Sequence, residues 1–360
     1  MLNHSQFSQL LPTYLRERAA QRPLVLAILI GTQGSSYRKA GAQMLFTQDG
    51  QQIGLLSGGC LESDLREHAR AVLTSRRPQI VQYDLRQPDD EIFGLGAGCA
   101  GALDIFLQSA NQENQWQPLA CLHEHWQQHV DTRMGLVIRS NSNDLPAGSM
   151  ILDAHHAYAH DGSALDITDR LLKLYENATL NQVHELEPGI EVFMLGAKAT
   201  PKLLILGGGM DAQPLAQQAA FLGWQSTVYD HRPAYAEPTR FPKTERVIAA
   251  AANQLVTQID LDQYQAAIVM SHHLASDLSY LKQLARSAIP YVGLLGPAAR
   301  RERLFAAMHD ELALLKPRLH APVGLNIHAE TPEAIALAII AEIYQVLAEL
   351  SRTDDHSHSG

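Results

Sequence analysis

"LLILGGGMDA", residues 203–212, sets an apolar run against three glycines and a small residue. Gly207, Gly209 and Ala212 fit the spacing G-x-G-x-x-G/A directly after a strand and at the opening of a helix. The first glycine permits the tight turn, the second lets backbone approach a pyrophosphate, and the small third residue lets helix pack on strand. Such a helix start also offers free N–H groups to an anion. "QSTVY", 225–229, predicts a second strand that ends at Asp230, near the spacing at which an acid holds a ribose 2′-hydroxyl. Further strands and helices alternate through "AAIVMSHH", "SDLSYLKQLARSA", "PYVGLLGP" and "AARRERLFAAM". That alternation predicts βαβ units and a Rossmann-like, doubly wound parallel sheet over residues 199–350.

The fold does not name the ligand. Two readings stay open: a nucleotide such as NAD bound through Gly207, Gly209 and Asp230, or a glycine-rich turn with an empty or altered site. Asp211 either repels a phosphate or caps the helix facing away. "MSHHLASD" places Ser271, His272, His273 and Asp277 at the carboxyl edge of the sheet, where open α/β folds bind ligands. His272 is the candidate to face that crevice; the alternative is that both histidines cap or solvate a loop. Arg300 and Arg301 open a later helix as anion contacts or as a solvated face.

The first 198 residues read differently. A helix is expected over about 5–20. A β-rich run to residue 59 follows, with a hairpin signal at "QDGQ", then a helix with Leu61, Leu65, Val72 and Leu73 on one face and Glu62, Arg66 and Arg70 opposite. Strands come at "IVQYDL" and "ALDIFL", and residues 111–198 add a helix near 116–129 and short strands at "GLVIRS", "SMIL" and "GIEVFML". This half is expected to form a mixed α+β domain, and the polar stretch 351–360 a disordered tail.

Composition narrows the partners. With 46% hydrophobic and 18% charged residues the chain is globular. A net charge of −10 without a basic block argues against nucleic acid. No apolar run reaches the length of a membrane span and the N-terminus lacks a signal-peptide pattern, so a cytoplasmic location and no membrane are expected. Cys60, Cys99 and Cys121 are too few and too scattered for a disulfide framework.

Two of these cysteines sit in glycine loops. Cys60 follows Ser57, Gly58 and Gly59 and precedes a helix, where backbone N–H groups and the positive helix end favour a thiolate. Cys99 lies among Gly94, Gly96, Gly98 and Gly101, a stretch whose backbone can approach a ligand at an entropic cost. Either thiol is otherwise a small buried hydrophobe, the reading that suits Cys121. Glu62 and Asp84 are candidate acid/base groups, or helix-start and turn residues. The spacing supports no closed zinc site, and there is no G-x-S-x-G nucleophile elbow.

The motifs together resemble the XdhC/CoxI family, the xanthine dehydrogenase accessory factors. "GTQGSSYRKAGAQMLFTQDGQQIGLLSGGCLESDL" is similar to its N-terminal signature, and "FGLGAGCAG" to its G-x-G-C-G-G loop, with Ala100 where a glycine is usual. "LGGGMDAQPLA", "VYDHRP", "MSHHLASDLSYL", "YVGLLGPAARRERL" and "HAPVGLNIHAETPEAIALAIIAEI" extend the likeness through the second half. The resemblance implies a chaperone that binds molybdenum cofactor (molybdopterin), protects it, assists its sulfuration and delivers it to an apo molybdenum hydroxylase of the xanthine dehydrogenase type. It further implies a cysteine desulfurase as sulfur source and a possible homodimer. Within it, Cys60 and Cys99 are the thiols expected to act and to touch molybdenum. Glu62 stands beside them, and Ser57, Gly58, Gly59, Gly96 and Gly98 cradle the cofactor. The competing expectations are an NAD-dependent oxidoreductase with His272 as proton shuttle, and a docking module with a vestigial nucleotide site.

Overall fold

A computed structural model describes residues 5–34, 36–59, 61–84 and 101–357. The chain divides into two compact units, Met1–Thr200 and Pro201–Gly360.

Unit 1 begins with α1 (Ser5–Ala19), β1 (Leu24–Gly34), β2 (Gln43–Thr47), β3 (Gln52–Gly54), α2 (Glu62–Ser75), β4 (Gln79–Asp84) and β5 (Gly101–Ala110). These strands form an antiparallel sheet in the order β3-β2-β1-β5-β4, and the "QDGQ" turn joins β2 to β3 as the sequence predicts. β1 explains why the run reads as uninterrupted hydrophobics: side chains alternate across a sheet, and both faces here are covered. Leu24, Leu26, Ile28 and Ile30 pack with Phe7, Leu10 and Tyr14 of α1, while Val25, Ala27 and Leu29 pack with Leu65, Ala69 and Val72 of α2.

The remainder of unit 1 is α3 (Leu119–Gln128), β6 (Thr132–Arg139), β7 (Met150–Ile151), β8 (Ala157–Tyr158), α4 (Asp169–Asn177), β9 (Gln182–Glu187) and β10 (Ile190–Ala197). Its strands pair antiparallel in the order β8-β7-β6-β10-β9. Leu136, Met150, Phe193 and Leu195 share one core with α1 and β1, so this segment continues the first domain. Neither α4 nor β9 is among the expected elements, although Leu171, Leu174 and Tyr175 recur at helical spacing in α4. Thr168 and Asp169 mark the start of α4, the Thr168 side chain accepting from Leu171 N at 3.3 Å.

Unit 2 runs β11 (Lys202–Leu206), α5 (Ala212–Phe221), β12 (Gln225–Asp230), β13 (Arg246–Ala249), α6 (Leu255–Gln258), β14 (Ala266–Val269), α7 (Leu274–Leu284), β15 (Tyr291–Leu294), α8 (Ala298–Ala306), α9 (His309–Leu315), β16 (Leu319–His320) and α10 (Pro332–Ser357). All strand pairs are parallel, in the order β13-β12-β11-β14-β15-β16. That is the dinucleotide-fold order, with the switch between β11 and β14. Leu203 and Ile205 face a core shared with α5 and α10; Leu204 and Leu206 face one shared with α7 and α8. α10 extends to Ser357, beyond residue 350.

One side chain closes the end of α7. Arg318 donates to the carbonyls of Leu284 (2.9 Å), Ala285 (3.2 Å), Ser287 (2.7 Å) and Ile289, acceptors that a helix end leaves over. A lysine is a point donor and lacks the planar fork. Arg318→Lys is expected to lower the urea unfolding free energy of unit 2 by about 2 kcal/mol; an unchanged midpoint would show that the carbonyls find other partners.

Candidate functional site

The loop before α2 is organised by a buried carboxylate. Glu62, expected on the solvent side of its helix, points inward and is only 6% exposed. One of its oxygens accepts from Leu56 N (3.3 Å) and Ser57 N (3.0 Å), the other from Ser57 Oγ (2.6 Å) and Leu61 N (3.1 Å). Ser57 Oγ in turn accepts from Gly59 N and Leu61 N, both at 3.3 Å. A buried charge is tolerated where donors surround it. The carboxylate therefore acts as a clamp that fixes the turn before α2, a geometry without a free oxygen for proton transfer.

Gly58 and Gly59 form the exposed edge of that turn. Gly59 has φ +105°, which a side chain tolerates badly, but Gly58 has no such φ, and a Cβ on it would meet no atom of the described residues within 4 Å. Cys60 lies between Gly59 and Leu61 in the chain, outside the described residues, as do Cys99, Gly96 and Gly98. The strands that carry the second glycine loop are described. Asp84 at the end of β4 sits opposite Ala102 of β5, so the two described strands that flank the second glycine loop in the chain are paired at that end. Asp64 in the first turn of α2 accepts from Tyr83 Oη at 2.6 Å, tying the helix start to that same end of β4. Burial, then the Asp64 bond, raises the Tyr83 hydroxyl pKa. The roots of the two glycine–cysteine loops thus meet at one end of the sheet. Cys121 is buried and its thiol is pushed up to about 12, chiefly by desolvation. Among the described residues no group of three His, Cys, Asp or Glu side chains could hold a metal ion.

In unit 2 the glycine turn is built as the motif predicts. Gly207 has φ +127° and a Cβ there would lie 2.5 Å from Ser271 Cα. What covers the turn is not legible in the motif. Asp230 is fully buried and accepts from Gly208 N (2.8 Å), Arg232 N (2.9 Å), Arg232 Nε (3.0 Å) and Arg232 Nη2 (2.8 Å). Burial alone would raise its pKa, but the Arg232 and Gly208 hydrogen bonds outweigh it and hold the carboxyl below the usual range. A Cβ on Gly208 would sit 2.1 Å from the carbonyl oxygen of Tyr235, so the chain after β12 lies against the turn. Arg232 stacks on the Tyr235 ring at 3.9 Å. The side chain that would hold a ribose is engaged by the protein's own groups.

The histidines divide. His272, in the left-handed region at φ +57°, faces Gly209 and pairs with Asp211 through Nε2 at 2.9 Å. Asp211 stands at the α5 N-cap but makes no cap bond. His273 instead caps α7, accepting from Ser276 N at 3.3 Å, with its ring 5.2 Å from that of His231. Asp277 is buried and accepts from Ser271 Oγ and from Arg300 Nε (3.1 Å) and Nη2, while Arg301 donates to Ala321 O at 3.0 Å. Both arginines join elements of unit 2.

Comparison with known proteins extends these observations. Over 330 residues the chain is 33% identical to a Bacillus subtilis (strain 168) protein named as a probable xanthine dehydrogenase subunit, spanning 90% of this chain and 93% of that one. Family models described as the XdhC and CoxI family and the XdhC Rossmann domain match residues 17–84 and 203–343. The chain belongs to the XdhC and CoxI family. Its XdhC-type architecture is shared with a solved Bacillus halodurans protein described as a xanthine dehydrogenase, with a TM-score of 0.74, 29% identity, and 95% and 96% of the two chains covered. It is also 26% identical over 326 residues to the molybdenum cofactor insertion chaperone PaoD of Escherichia coli (strain K12), covering 89% and 83%.

Two outcomes follow. Glu62→Ala leaves buried N–H groups without an acceptor and is expected to lower unfolding free energy by about 2–4 kcal/mol, measured by urea denaturation against Glu67→Gln, an exposed carboxylate of the same helix, as a surface control; equal effects would refute the clamp. Asp230 contributes stability that is fully present above its unfolded value of about 3.9 and is lost as pH falls through its lower folded value. Asp230→Asn should therefore flatten the acid limb of a stability–pH curve, and an unaltered limb would show that the carboxyl is unperturbed.

Proposed function

We propose that this XdhC-type protein is a chaperone that binds molybdenum cofactor and inserts it into an apo molybdenum hydroxylase of the xanthine dehydrogenase type. The observation that supports this reading is the Asp64–Tyr83 hydrogen bond at 2.6 Å, which ties the first turn of α2, just after Cys60 in the chain, to the end of β4, just before the second glycine loop. Soft thiolates from Cys60 and Cys99 suit molybdenum, and amide-rich glycine loops suit the phosphate of the pterin. No atom of the described residues lies within 4 Å of a Cβ built on Gly58, which suits a close approach of cofactor to the backbone there. The relatives named above supply the direction: one is called an insertion chaperone for this cofactor and another is named for xanthine dehydrogenase itself. On this reading the protein works in the cytoplasm, binds cofactor as cargo and does not turn it over. A cysteine desulfurase supplies the sulfur fitted before delivery, and two copies pair as a homodimer. Glu62 and Ser57 act as positioning residues, since they hold the loop that presents Cys60.

An NAD-dependent oxidoreductase has less support. Asp230, the acid that would hold a ribose, is occupied by Arg232.

The test titrates the purified chain with molybdenum cofactor and follows activation of an apo hydroxylase. Cys60→Ser and Cys99→Ser are each expected to weaken binding at least about tenfold, the equivalent of 1.4 kcal/mol, and to slow activation. Parent-like binding and activation by the double variant would overturn the thiol assignment.

A further inference from the structure

Beside the glycine turn of unit 2, a cleft of about 270 Å³ separates one face of α5 from the segment 240–244 that leads into β13. Gln213, Ala216 and Gln217, one helical turn on a single face, form one wall; Arg240, Phe241, Lys243 and Thr244 help form the other. The lining holds two cations and no carboxylate, in a chain with 38 acidic against 28 basic residues.

Arg240 is fixed before anything binds. Its Nη1 donates to Ala234 O at 3.2 Å. With the Gln213 amide oxygen turned toward the guanidinium, that oxygen accepts from Nη2 at 3.0 Å and from Nε at 3.3 Å. The guanidinium also lies over the Tyr235 ring at 5.2 Å and the Phe241 ring at 5.8 Å. These contacts leave one N–H on each terminal nitrogen unspent, held at little further entropic cost. Lys243 forms no ion pair among the described residues. The Thr244 hydroxyl is enclosed and has no hydrogen-bond partner. Ala216, Phe241 and Pro242 supply apolar surface.

We propose that this cleft binds a small phosphate monoester, with Arg240 and Lys243 on the phosphate and the apolar surface against the organic group. The charge decides for phosphate: a monoester is close to a dianion at pH 7, with its second pKa about 6, and two cations match it where a single carboxylate would leave one charge unpaired. The volume decides for a small molecule, since it falls just under the roughly 300–1,000 Å³ of pockets for drug-sized ligands.

Isothermal titration of the full chain with phenyl phosphate tests this, with benzoate, phenol and inorganic phosphate as comparison ligands. Saturable one-to-one binding is expected for phenyl phosphate, with benzoate and phenol at least about tenfold weaker and affinity falling as salt rises. Lys243→Gln and Arg240→Gln should each weaken it at least about tenfold, and the exposed Lys243→Gln should leave the thermal midpoint unchanged. Benzoate binding as tightly as phenyl phosphate, indifference to Lys243→Gln, or no binding by the parent chain would overturn the proposal. Inorganic phosphate binding as tightly as the ester would overturn the monoester assignment. No arm contains molybdenum, so failure of the insertion reading leaves this result unaffected.

Discussion

The carboxylate of Glu62 is the constraint around which the loop at the start of α2 is arranged. Taking a charge out of water is costly unless donors replace the lost solvent, and here three backbone N–H groups and the Ser57 hydroxyl do so. Once these bonds form, Leu56, Ser57 and Leu61 cannot shift independently. Gly59 and Leu61, the chain neighbours of Cys60, both reach Ser57 Oγ through their amides. The sequence pattern suggests a thiol facing free amides at a helix end. Of the amides at that end, Leu61 N is spent on the Glu62 carboxylate and Gly59 N on Ser57 Oγ, so a negative charge stands beside the positive end of the helix dipole in this turn.

Unit 2 repeats the device with a different result. Asp230 also fills its oxygens with local donors, but its partners are the turn glycine and Arg232, and Arg232 then stacks on Tyr235. The carboxylate pins the chain after β12 against the glycine turn. An acid at the ribose position thus serves as an internal fastener, and the parallel sheet retains its strand order while its crevice is lined by its own loop.

Elements with strong local patterns are legible in the sequence. β1, α2, β11, α5 and the parallel order of unit 2 follow from apolar periodicity and from the glycine turn, because each is set by neighbours a few residues away. β9 is not, since its polar sequence reveals a strand only once β10 pairs with it, whereas α4 does carry an apolar face, Leu171, Leu174 and Tyr175, but over only nine residues between polar turns. The candidate site divides in the same way. Ser57, Gly58 and Gly59 can be named from their motif, whereas the inward turn of Glu62 and the reach of Tyr83 to Asp64 depend on tertiary contact. Arg232 is hidden for the same reason: nothing in "YDHRP" tells that the arginine folds back onto the aspartate two residues before it.

Two glycines separate fold from function more sharply than any charged group. Gly207 is required by the fold, since its φ is left-handed and a methyl there would overlap Ser271 and Met270. Gly58 answers to neither demand among the described residues, because its φ is ordinary and none of their atoms lies within 4 Å of where a Cβ would stand. A glycine there costs conformational entropy without relieving a clash with any described residue. The surrounding turn is nevertheless held rigidly by Glu62, so the gap is not simply a floppy loop. A glycine in such a held turn is compatible with the cofactor contact proposed above.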